Sequence, residues 1–317
     1  MLALRLATMD RIGFLGPPGT FHEQALLSQP DLADHVLLAL SSIPEVLAAV
    51  EAGDVEHGFV AIENSIDGTV NVTLDTLTFE TDLVIQREVV LNIELHLLAK
   101  PGTALTDIDR VLSFPTATAQ VRGFLAREVP GATWEATNST SEAARLVGES
   151  TSARTAAVAP AHAAELYGLE ILAADIADHP ENQTRFVLVR SEGVPAPTGH
   201  DKTTVVCFQR ADRPGSLLTI LQEFAARGIN LTKLESRPTK RALGDYCFII
   251  DLQGHVADEV VGDCLRTLKA ELADVKFLGS YPAAGVHGEA LRRDADAAWR
   301  KADGWLQEVR AGIHPGA

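Results

Sequence analysis

The chain has 317 residues, 46% hydrophobic and 22% charged, with a formal net charge of −16. That length accommodates two or three domains with sizeable cores, and the acidity excludes a nucleic-acid partner, which needs clustered Lys and Arg. No apolar run approaches the ~18 residues of a membrane span, and Met1 to Arg11 lacks the pattern of an export signal, so a cytoplasmic protein without membrane partners is expected.

Strands and helices alternate from residue 11 to residue 190. Ile12 to Leu15 reads as a strand, and Gly16-Pro17-Pro18-Gly19 turns the chain. Thr20-x-x-Glu23 is a capping box for a helix over His22 to Ser28. Ser42-x-x-Glu45 repeats the signal, with Gly53 as its stop. A strand over His57 to Ile62 and a helix from Val70 to Phe79 follow. Leu83 to Ala99 reads as one long extended stretch. Next come a strand at Arg110 to Ser113, a helix over Thr116 to Glu128 and a strand at Thr133 to Ala136. A helix capped by Ser139-x-x-Glu142, a strand at Ala156 to Ala159, a helix over Ala161 to Tyr167 and a strand at Arg185 to Val189 close the series. Such alternation implies α/β architecture with largely parallel strands, whose ligands sit beyond the carboxyl ends of strands.

Residues 191–201, with two prolines and two glycines before His200, form a linker. Beyond it a strand (203–209), a helix marked by Leu217, Leu221 and Phe224, two strands (231–236, 246–252), a second amphipathic helix and a last strand (275–278) make βαββαβ, the ferredoxin-like arrangement. A stripe of Leu291, Trp299, Ala302, Leu306 and Val309 predicts a C-terminal helix over 286–310. Cys207, Cys247 and Cys264 have neither disulfide nor metal spacing and read as core residues. No metal or cofactor is expected.

Two polar segments sit at strand ends. Glu63-Asn64-Ser65-Ile66-Asp67-Gly68-Thr69 is either a turn that caps the next helix or a ligand-binding loop. Asn182-Gln183-Thr184-Arg185-Phe186 offers a hydroxyl beside a guanidinium, suited to holding a carboxylate and assisting a leaving oxygen. Adjacent strand residues point to opposite faces, so Thr184 and Arg185 share a ligand only if the backbone is irregular there. The two segments are expected to face each other across a crevice. The Gly16 to Thr20 loop lacks a phosphate-loop ending; it is either a plain turn or an anion-facing helix start. In the C-terminal part, Arg213-Pro214-Gly215-Ser216-Leu217 and Glu235-Ser236-Arg237-Pro238 are a cap and a strand end, or together a site for a small zwitterion.

In order and spacing, Gly16 to Phe21, Glu63 to Val70 and Asn182 to Phe186 resemble the prephenate dehydratases, and the unit after the linker resembles their ACT regulatory domain. The resemblance implies a two-lobed catalytic domain like type II periplasmic binding proteins over 11–190. One lobe would be 11–84 plus 174–190 and the other 85–173, with the ACT domain at 202–280. It implies a monofunctional enzyme converting prephenate to phenylpyruvate, carbon dioxide and water, with Thr184 essential. Thr20, Glu63, Asn64, Ser65, Asn182 and Arg185 would line the substrate cleft, Arg185 anchoring the pyruvyl carboxylate. The family's Ser-His-Pro stands here as Ser113-Phe114-Pro115, so only Ser113 carries over. Gly215, Ser216, Leu217, Glu235, Ser236 and Arg237 would bind L-phenylalanine as feedback inhibitor, across a homodimer or homotetramer built through ACT domains. An arogenate dehydratase, or a non-catalytic ligand or amino-acid sensor, is the alternative.

Overall fold

The computed structural model describes residues 10–209, 213–242, 244–284, 301–302 and 304–311. They group into two compact units, one of 10–76 and 89–189, the other of 77–88 with the described residues from 190 onward.

In the first unit the chain runs through β1 (Arg11–Leu15), β2 (Val36–Leu40), β3 (His57–Asn64) and β4 (Gly68–Thr69), and it re-enters this unit from the second along β5 (Val84–Asn92). It continues through β6 (His96–Ala99), β7 (Arg110–Ser113), β8 (Thr133–Ala136), β9 (Thr155–Ala159) and β10 (Glu170–Ala173), and returns as β11 (Gln183–Arg190). One sheet has the order β2-β1-β3-β11-β5, with β4 on β3; the other is β10-β6-β9-β7-β8. Within each sheet three strands are parallel, and one antiparallel strand arrives from the opposite lobe: β11 beside β3 in the first, β6 beside β9 in the second. This is the two-lobed, type II periplasmic-binding-protein-like arrangement. The two crossovers are bonded to each other, Ile93 N donating to Asn182 O and Ile176 N to Leu95 O, both at 2.8 Å.

The lobe boundary differs from expectation. The extended stretch 83–99 is two strands interrupted at 93–95, and β5 pairs with β11 in the first sheet instead of opening the second. Side-chain alternation marks a strand but not the sheet it joins. Three strands have no counterpart in the sequence reading, among them the two-residue β4 on the Glu63–Thr69 loop. β2 (VLLAL) is an unbroken apolar run without alternation, and β10 is a four-residue edge strand with a register shift.

The capping boxes form as the sequence predicts. α1 (Phe21–Leu27) starts at Thr20, whose Oγ1 accepts from Glu23 N, while the Glu23 carboxylate accepts from Gly19 N. α2 (Ile43–Ala52) starts at Ser42 and stops at the left-handed Gly53. α3 (Asn71–Asp75) passes into a π-helical turn at Thr76–Glu80, where one helix was expected. The helix expected over 116–128 is broken into α4 (Pro115–Ala119) and α5 (Arg122–Glu128). Asp178 stitches the break: its amide donates to Gln120 O and its carboxylate accepts from Gly123 N. A partner 55 residues away leaves no local signal. α6 (Thr140–Glu149) begins at Ser139, and α7 (Ala161–Tyr167) ends at the left-handed Gly168. The first lobe packs Ile12, Phe14, Leu26, Phe59 and Phe186 in one core. In the second, Leu97, Val111 and Val158 bury one face of the sheet and Leu98, Leu112 and Ala157 the other, as a helix-covered sheet requires.

The second unit holds β12 (Asp201–Gln209), α8 (Ser216–Ala226), β13 (Leu231–Pro238), β14 (Tyr246–Gln253), α9 (Glu259–Thr267) and β15 (Ala273–Pro282). The antiparallel order β13-β14-β12-β15 is ferredoxin-like. Its core contains Ile220, Phe224, Ile250, Val261 and Leu268 with Cys207 and Cys264. All three cysteines are buried and free, and burial pushes the Cys207 and Cys264 thiols up to about 12. Gly279 has φ +143°, and a Cβ there would lie 2.5 Å from Ile85 O. Gly279→Ala should therefore destabilise this unit by about 3 kcal/mol, read as a lowered urea midpoint by circular dichroism. Of the expected tail helix, 301–302 and 304–310 are helical; 286–300 lie outside the described residues.

Candidate active site

A cavity of about 900 Å³ opens within the first unit, lined from both lobes. The first lobe and its returning strand contribute Pro17, Pro18, Thr20, His22, Asn64, Asp67, Thr184 and Phe186, with Asn182 at the crossover. The second contributes Phe114, Thr116, Gln120, Asn138, Ser139, Thr140 and Arg145. The two segments singled out in the sequence share this cavity but do not face each other. Thr184 pairs with Asn64 and Arg185 with Glu63 as sheet neighbours. The opposing wall is the second lobe.

Thr184 is 9% exposed. Its Oγ1 accepts from Asn64 Nδ2 at 2.9 Å, and no described residue takes its hydroxyl proton, which is left for a ligand. Asn64 is held as an Asx turn, its Oδ1 accepting from Ile66 N and Asp67 N. Its Nδ2 also donates to Asn182 Oδ1 at 2.8 Å. Asn182, 1% exposed, donates to Gln120 Oε1 at 3.0 Å, and Gln120 Nε2 donates to Asp67 Oδ2 at 3.0 Å. A chain of amides thus runs from Thr184 across the cleft and back. Burial pushes the Asp67 carboxyl above the usual range, against the opposing effect of the Gln120 bond.

Four expected site residues lie elsewhere. Arg185 does not line the cavity: it projects from the other face of β11 and pairs with Glu63 at 3.4 Å. The register does slip, between Arg185 and Phe186, but this leaves Thr184 and Phe186 on the cavity wall and Arg185 off it. Glu63 is held away with it. Ser65 fastens the loop, its N–H donating to Gln183 O and its Oγ accepting from Gln183 N. Ser113 is buried and donates to Val158 O, leaving Phe114 at the cavity. Thr20 does line the cavity, though its hydroxyl donates to Leu15 O and caps α1.

Sequence reasoning missed the second-lobe wall. Arg145 is the permanently charged cation among the described lining residues. It also bonds Glu149 at 2.8 and 2.9 Å, an i,i+4 pattern that reads as a solvated helix face. It stands beside the first turn of α6, where Ser139 and Thr140 bring the positive end of the helix dipole to the cavity. Gln120 sits in the unpredicted helix break.

His22 also lines the cavity. Its Nε2 accepts from Ala61 N at 3.1 Å, and burial lowers its pKa to about 3. The unfolded state therefore binds the extra proton between pH 6.5 and 3. Stability from this group is full above pH 6.5 and is lost as pH falls toward 3, at up to about 1.4 kcal/mol per pH unit. Urea titrations at pH 7 and 5 should show the wild type losing about 2 kcal/mol more than His22→Gln.

In the second unit, Gly215 has φ +89° and opens α8. Ser216 Oγ bonds back to Arg213, and Leu217 packs on the unit's core. Along β13 the alternation puts Glu235 and Arg237 on one face with Lys233 and leaves Ser236 exposed on the other. Glu235 lies 3.5 Å from Lys233 and 3.8 Å from Arg237.

A family model described as prephenate dehydratase matches residues 12–194. The curated prephenate dehydratase of Mycolicibacterium gilvum (strain PYR-GCK) is 42% identical over 316 residues, 96% of this chain and 99% of the relative. The chain belongs to the prephenate dehydratase family. A second model, for the ACT domain, matches 203–270. The Corynebacterium glutamicum prephenate dehydratase is 38% identical over 307 residues, covering 95% of this chain and 96% of that one. The solved prephenate dehydratase of Arthrobacter aurescens in complex with L-Phe superposes with a TM-score of 0.84 at 39% identity, covering 95% of this chain and 100% of that chain. As a member of this family the chain is a lyase, a dehydratase that also decarboxylates. Among the described residues no helix is long and apolar enough to cross a membrane.

Proposed function

We propose that the cavity binds prephenate, with Thr184 at its ring hydroxyl and Arg145 at a carboxylate. The carrying observation is the direction of one hydrogen bond. Asn64 donates to Thr184, so Thr184 directs its own proton outward. In the reaction the ring carboxylate leaves as carbon dioxide, its bonding electrons enter the ring, and the ring hydroxyl departs, taking up one proton to become water. Aromatisation drives both bond cleavages, so no covalent intermediate is needed. Thr184, a poor acid, donates a hydrogen bond that strengthens as charge builds on the departing oxygen. Asn64, Asn182 and Gln120 hold that donor in place.

Arg145 and the start of α6 suit the pyruvyl carboxylate, which stays on the product. A cationic clamp on the departing carboxylate would stabilise the ground state and slow its loss. Arg185, occupied with Glu63 off the cavity, is no longer the anchor in this reading.

For the second unit, L-phenylalanine at the start of α8 and the end of β13, shared with a second copy of the chain, is the effector reading. The L-Phe complex of the Arthrobacter relative supports it. The test is incubation with prephenate, following phenylpyruvate by its alkaline absorbance, with and without phenylalanine. Product should form and phenylalanine should slow it. Absence of phenylpyruvate overturns the catalytic reading; rates unchanged at saturating phenylalanine overturn the effector reading alone.

A further inference from the structure

We propose that His22 is an additional substrate-contacting residue, presenting a fixed, neutral Nδ1–H to an oxygen of the bound substrate. The inference rests on the catalytic reading above. His22 stands in the first turn of α1 and lines the cavity. Its Nε2 accepts the Ala61 backbone N–H at 3.1 Å. A backbone amide only donates, so the ring proton must sit on Nδ1.

No described residue bonds to Nδ1, and the His22 side chain is only partly buried on the cavity wall, which leaves Nδ1 for a ligand. The ring is fixed by packing. It stands edge-on to Phe186 at 5.0 Å and 79°, and Phe186 stacks on Phe59 at 5.3 Å. Phe186 follows Thr184 by two residues and lines the same wall, so the two donors, imidazole and hydroxyl, belong to one surface. Burial keeps the imidazole uncharged.

A neutral donor with no acceptor left, set against aromatic rings, recognises an oxygen. It gives nothing to an ammonium or a C–H, and it adds no positive charge that would retain a departing carboxylate. A purely structural His22 would need only its Nε2.

Two variants separate the roles. In His22→Gln the side-chain oxygen can still accept from Ala61 N–H, but the fixed donor is gone. In His22→Asn the amide nitrogen takes the place of Nδ1, but the reach to Ala61 is lost. His22→Gln should lower kcat/KM for prephenate by about threefold to tenfold with little change in melting temperature. His22→Asn should retain more of kcat/KM than His22→Gln while melting lower. Wild-type kinetics in His22→Gln, from a wild type that does form phenylpyruvate, overturns the proposal and leaves the catalytic reading standing. A readout independent of turnover is ¹⁵N NMR of the full-length wild type at pH 7. The His22 ring should be protonated on Nδ1 only, and that resonance should shift on addition of phenylpyruvate. A ring protonated on Nε2, or an Nδ1 signal unmoved at saturating phenylpyruvate, also overturns it.

Discussion

Thr184→Ala should reduce kcat for prephenate by about 10²-fold or more, with a smaller change in KM. The lost interaction is one that strengthens as the ring hydroxyl takes on charge, so it belongs to the transition state more than to the bound substrate. Thr184 has little packing role to confuse the result, since the side chain sits at the cavity wall with a single hydrogen bond, from Asn64. Thr184→Ser keeps the hydroxyl and should recover most of the rate. A Thr184→Ala enzyme turning over like the wild type removes this residue from the mechanism. A variant whose loss is confined to KM makes it a binding group only.

Arg145→Ala should raise KM by about ten- to a hundredfold, the range for a lost hydrogen bond to a charged group, with a lesser effect on kcat. Arg145→Lys should recover only part of this, because an ammonium cannot reproduce the two-pronged contact. The fold should be nearly indifferent, since the Arg145–Glu149 pair is a solvent-exposed i,i+4 contact of small worth. Arg185→Ala should do the reverse. Its guanidinium is 11% exposed and faces Glu63, so its loss lowers the melting temperature while KM for prephenate holds. If KM rises in Arg185→Ala and stays level in Arg145→Ala, the carboxylate anchor is on the other side of β11.

These two arginines mark where the sequence was legible and where it was not. Local chemistry read well. The Thr20, Ser42 and Ser139 caps, the strands around 110–113 and 133–136 and the βαββαβ unit follow from capping boxes and periodicity. The threonine of the cavity was found as well, because it sits in a polar run at a strand end. Arg185 was misplaced because strand alternation sends neighbours to opposite faces, and the register shift falls after it, between Arg185 and Phe186. Gln120 and Arg145 were invisible for a different reason. Each looks like part of an ordinary helix, and only the approach of the second lobe brings them to Thr184. The same tertiary override assigned β5 to the first sheet and cut one helix in two at Asp178's partners.

The joined crossovers tie catalysis to lobe closure. Asn182 is part of the pivot itself, its carbonyl bonded to Ile93 N, while its side chain reaches Asn64 in one lobe and Gln120 in the other. The Asn182–Gln120 and Gln120–Asp67 bonds both span the lobes, so any separation of the lobes would stretch them. Loading the cleft and bracing Thr184 are thereby coupled through Asn182 and Gln120.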